Sequence, residues 1–71
     1  MTELDYRICK IIKLYNEIHG INPTAKDIAE VIKYEDYGAR YHLNKLEKLG
    51  IVKTNGFKHN KRYILNVDNL E

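Results

Sequence analysis

Arg40 and Asn44 stand four residues apart in the chain, and their side chains share one kind of chemistry. An arginine fork can make two parallel hydrogen bonds to guanine, and an asparagine amide can make two to adenine. Tyr37, Tyr41 and Lys48 fall at spacings that place them on the same side of a helix as that pair, and Lys45 follows Asn44 directly. Tyrosine hydroxyls and lysine ammoniums are common partners of phosphate oxygens. The stretch YGARYHLNKLEKLGIV, residues 37–52, therefore carries groups for recognition on one side. On the other side it carries Ala39, Leu43 and Leu46, spaced to be buried.

Groups that make and break bonds are poorly placed by comparison. His19, His42 and His59 are far apart, and no metal-ligand spacing joins them. Cys9 is the one cysteine, so there is no intrachain disulfide and no multi-cysteine zinc site. Its place beside the apolar stripe of the first helix suits burial. No Cys/His dyad, paired-carboxylate pocket, glycine-rich phosphate loop or serine elbow is present. The expectation is a chain without catalytic residues, cofactor, metal or small-molecule substrate. With 71 residues it is expected to form one domain with a modest core. No apolar run approaches the roughly 20 residues of a membrane span. The N-terminus lacks the apolar segment of a signal peptide, so a soluble, cytoplasmic protein, prokaryotic or viral, is expected.

Charge is unevenly distributed. Net charge is +2 overall, but residues 1–36 carry −2, residues 37–63 carry +6 and residues 64–71 carry −2. The positive segment contains Arg40, Lys45, Lys48, Lys53, Lys58, Lys61 and Arg62 against the single acid Glu47. Concentrated positive charge of this kind is an electrostatic footprint for an anionic polymer.

The elements that must position these residues follow from periodicity. Thr2, with Glu3 and Asp5 behind it, opens a helix over about 3–19, closed by Gly20. Leu4, Ile8, Ile11, Tyr15 and Ile18 form its expected core stripe, with Cys9 and Ile12 widening it. Asn22-Pro23 interrupts the chain, and Ile21 can add a very short strand. Thr24, with Asp27 three residues on, opens a second helix to about residue 33 that buries Ala25, Ile28, Ala29 and Ile32. After a turn at 34–36, with Glu35 or Asp36 as the cap, a third helix spans about 37–49. Two β-rich runs, 51–55 and 62–67, then form an antiparallel hairpin around a basic turn. Either Asn55-Gly56 or His59-Asn60 suits the tip. Phe57 is expected to anchor the hairpin to the core.

Two helices separated by a three-residue turn, followed by a hairpin, make a helix-turn-helix layout. The stretches PTAKDIAEVI, YHLNKLEKLGIV and RYILNV resemble the winged helix-turn-helix family, and the first two look most like the DNA-binding domain of LexA-type repressors. The resemblance covers about residues 4–67. It lacks the protease portion of those repressors, and the turn between helices two and three is shorter than theirs. It implies an α+β fold of three helices and a β-hairpin wing, with the third helix in the major groove of double-stranded DNA. It also implies regulation of transcription.

On that footing Tyr37, Arg40, Tyr41 and Asn44 read or orient on bases. Lys45 and Lys48 contact the backbone, as do Thr24 and Lys26 at the start of the second helix. Lys53, Lys58, His59, Lys61 and Arg62 in the wing grip phosphates. The plainer explanations are a solvated helix face and a lysine-rich edge that discourages sheet pairing. The broad stripe on the first helix, with Tyr6, Cys9 and Ile12 turned partly outward, leaves room for a homodimer matching a palindromic site. The rival function is a winged helix that docks on a protein of a larger transcription or replication complex.

Overall fold

Helix α1 spans Glu3–His19 in the computed structural model, which describes residues 1–57 and 60–67. It begins with a reciprocal cap. The Thr2 hydroxyl accepts the Asp5 N–H at 3.2 Å, and the Asp5 carboxylate accepts the Thr2 N–H at 2.9 Å. It ends at Gly20, whose φ of 71° is left-handed, a conformation glycine adopts without steric cost.

The buried face of α1 is rotated from the expected stripe. Asp5, Ile8, Cys9 and Ile12 are buried, whereas Ile18 is 74% exposed. Cys9 and Ile12 therefore sit in the core and not at an outward edge. Ile8, Cys9 and Ile12 pack into the core on this face, and Asp5 beside them bonds to His42 and Lys45 of a later helix.

Helix α2 (Ala25–Ile32) repeats the same cap with Thr24 and Asp27, at 3.2 and 3.0 Å. It buries Ala25, Ile28 and Ala29. Lys33 closes it in the left-handed region, φ 57°. Helix α3 (Asp36–Lys48) follows. Glu35 occupies its cap position, yet its side chain makes no capping bond, contrary to the expected acidic cap. Ala39, Leu43 and Leu46 face inward and are buried.

Strands β1 (Val52–Asn55) and β2 (Arg62–Leu65) pair antiparallel, with Val52 opposite Leu65 and Asn55 opposite Arg62. Alternation places Val52 and Tyr63 in the core and Lys53 and Arg62 outside. The short strand expected at Ile21 does not form. A single bridge between Thr24 and Arg62 takes its place, supported by the Tyr63 N–H donating to the Pro23 carbonyl at 2.8 Å. Pro23 lacks an N–H of its own, which limits a ladder here. Phe57 does not anchor the hairpin either, being 87% exposed.

Ile8, Ile12, Ile28, Leu43, Leu46, Val52 and Tyr63 meet in one core. Each buried aliphatic side chain there contributes about 1.5–3 kcal/mol. The result is an α+β layout of three helices and one antiparallel hairpin. Among the described residues no helix is long and apolar enough to cross a membrane.

Candidate nucleic-acid interface

The side of α3 opposite its leucines is open. Tyr37 and Tyr41 are 83% and 64% exposed, and Arg40, Asn44 and Lys48 are exposed beside them. Steps of three, one, three and four residues keep all five within one strip of the helix. The structure thus brings together the five residues that spacing alone had grouped.

Both flanks of the strip are tied down. On one flank the His42 Nδ1 lies 3.0 Å from Asp5 Oδ1, and the Lys45 Nζ lies 2.7 Å from Asp5 Oδ2. On the other, the Thr54 hydroxyl donates to Glu47 Oε2 at 3.1 Å. Side-chain rings border the first flank, with His42 edge-on to both Tyr41 and Tyr34 at 5.5 and 6.2 Å. Rotation of α3 about its axis would break one tie or the other, so the strip is presented in a fixed direction.

Lys45 therefore differs from its neighbours. Its spacing suggested a backbone contact, but its ammonium is turned from the strip onto Asp5. Asp5 and His42 are the residues that sequence reasoning passed over. The available signal was an acid at position 5 sharing a helical face with Ile8, Cys9 and Ile12, at steps of three, four and seven. An acid on an apolar face needs a cation or donors from elsewhere in the fold.

Glycine 38 has a local cause. A Cβ at this position would overlap the ring of Tyr34, which lies against the first turn of α3. The glycine therefore admits a tyrosine from the α2–α3 turn.

Thr24 and Arg62 come together at the bridge between the start of α2 and β2. Arg62 also donates from Nη1 to the Asn22 carbonyl at 2.7 Å. The Thr24 oxygen is used as an acceptor by the cap, which leaves its own proton free to donate. Lys26 is exposed on the first turn of α2, and Lys53 and Lys61 are exposed on the hairpin. Lys58 and His59 lie outside the described residues.

Electrostatics follow from burial and pairing. Burial opposes the charge on Asp5, but hydrogen bonds from Lys45, the Thr2 backbone and His42 outweigh it and hold the carboxyl far below the usual range. Burial pushes the Cys9 thiol up, with the Asp5 charge adding to it, which suits an inert core cysteine. Burial likewise raises the Tyr63 phenol. Among the described residues no three His, Cys, Asp or Glu side chains are grouped as metal ligands.

Such an arrangement can hydrogen-bond planar bases through α3 and neutralise phosphates through cations placed around it. Compared with known families, residues 9–60 of the chain match the FaeA-like protein family. No curated protein matches the chain.

Proposed function

The chain belongs to the FaeA-like protein family, and we propose that it is a winged helix-turn-helix protein that binds double-stranded DNA sequence-specifically and regulates transcription. The carrying observation is the exposed strip Tyr37, Arg40, Tyr41, Asn44 and Lys48 on a helix tied down along both flanks. A solvated face needs no such fixing, whereas base readout depends on side chains held in register with the groove.

In this account α3 lies in the major groove, as the likeness to LexA-type repressors also suggests. Arg40 and Asn44 read base edges, and Tyr37 and Tyr41 orient on the bases and adjoining backbone. Lys48 meets phosphate at the end of the strip. The hairpin is the wing. Its Lys53 and Lys61, with the donors of Arg62 not used by Asn22, reach adjacent phosphates. Phe57 lies against the sugar-phosphate edge. Thr24 and Lys26 contact phosphate where α2 crosses the backbone. Lys45 serves by fixing α3 through Asp5.

The test is selection of bound sequences from a random duplex pool, with the wild type and with Arg40→Ala and Asn44→Ala. Each substitution should relax preference at one or two base positions, by about 1–3 kcal/mol per lost bidentate contact. Both residues are exposed, so folding should be retained. Base preferences identical to wild type would remove these residues from the readout.

A further inference from the structure

A second exposed face lies away from α3. Ile11, Leu14, Tyr15, Ile18 and His19 of α1, with Val31 of α2, line a shallow, mostly apolar groove. Leu14 and Val31 are about half exposed and Ile18 more so. Single exposed aliphatic residues are ordinary on a protein surface, but a contiguous set marks a contact surface. Ile11, Leu14 and Ile18 recur at steps of three and four, the spacing of a seam between two packed helices.

The charges beside the seam select what covers it. Tyr15 borders the seam on the side of α2, where it faces Asp27. Lys10 and Glu17 stand on the opposite border, seven residues apart, exposed and opposite in sign. When two copies of such a helix pack antiparallel about a two-fold axis, like borders meet. Lys10 of each copy then comes opposite Glu17 of the other, giving two ion pairs. Parallel packing would bring Lys10 to the Tyr15 border, where Asp27 already accepts the Thr24 N–H, and would leave Glu17 without a cation opposite it.

We propose that this groove is a homodimer surface, covered by α1 of a second copy running antiparallel. α1 has 17 residues and is about 25 Å long. A single helix pair of that length, with Val31 at its edge, lies at the small end of stable interfaces, so the dimer is reversible. The surface differs from the one expected from sequence, because Cys9 and Ile12 are in the core.

Sedimentation equilibrium of the full chain from micromolar to millimolar concentration tests this without nucleic acid. The wild type should rise from the mass of one chain to that of two. Lys10→Glu or Glu17→Lys turns two attractions into two repulsions and should weaken the dimer about tenfold. Lys10→Glu combined with Glu17→Lys should restore it, since the pairs re-form with signs exchanged. Ile18→Asp should abolish association while circular dichroism stays native, because that side chain is mostly in solvent. A wild type of single-chain mass throughout would overturn the proposal. So would an exchanged pair that fails to restore the dimer, or an unaffected Ile18→Asp variant.

Discussion

The Lys45 ammonium sits 2.7 Å from a carboxylate oxygen of Asp5, a residue with no surface in water. The contact joins the first turn of α1 to the latter half of α3, across 40 residues of chain. It ties the buried face of α1 to one flank of the α3 strip. Removing the carboxylate leaves the Lys45 ammonium without its counterion and the His42 Nδ1 without its hydrogen-bond partner.

Asp5→Ala should therefore destabilise the fold by about 2–4 kcal/mol, below the full cost of breaking a buried pair because Lys45 retains access to water. Lys45→Met should cost less, since His42 and the Thr2 N–H still satisfy Asp5. Denaturant titration measures both. Equal costs, or a neutral Asp5→Ala, would show that the pair does not set the packing of α1 on α3.

Acid should expose the same residue. Burial works against ionised Asp5 and Asp27, but hydrogen bonds lower both below their ordinary 3.8, from Lys45, Thr2 and His42 for the first and from Thr24 and Tyr15 for the second. A folded-state pKa below the unfolded one gives stability that is fully present above the unfolded value and lost as pH falls through the folded value. The wild type should lose stability progressively from about pH 5 downward. Asp5→Asn should start lower at neutral pH and fall less steeply, because the Asp5 contribution is already gone. Parallel pH profiles for the two proteins would contradict this.

Gly38 and Tyr34 should be coupled. Alone, Gly38→Ala gains helix propensity but displaces the Tyr34 ring from the first turn of α3. With Tyr34→Ala already present, the same change should stabilise by roughly 0.5–1 kcal/mol. A double-mutant cycle by denaturation reads the difference, and strict additivity would show that the ring is not the reason for the glycine.

Much of this was legible in the sequence because it is local. The Thr2 cap, the box Thr24–Asp27, the inward leucines of α3 and the pairing of residues 52–55 with 62–65 all rest on neighbours within one element or one hairpin. The exposed strip on α3 is of the same kind. What was not legible depends on distant groups. Asp5 read as a first-turn acid favouring the helix dipole, and only the approach of α3 shows that it is also a buried counterion. Ile18 kept the period of the core stripe, yet the core lies one step round the helix, on the side Asp5 faces. Phe57 looked like an anchor by type, but its ring is 87% exposed.

Binding of the full chain to duplex DNA, titrated at several salt concentrations, tests the central claim most directly. Lys26, Lys48, Lys53, Lys61 and Arg62 are exposed cations placed around α3, the start of α2 and the hairpin. If each neutralises one phosphate, the logarithm of affinity should fall with the logarithm of salt with a slope of about −4 to −5. Lys53→Ala should reduce the slope by about 0.9 at every sequence. A steep slope, with one motif preferred over random duplex, is the predicted result. No binding at low salt would contradict the account and leave the protein-docking function in its place.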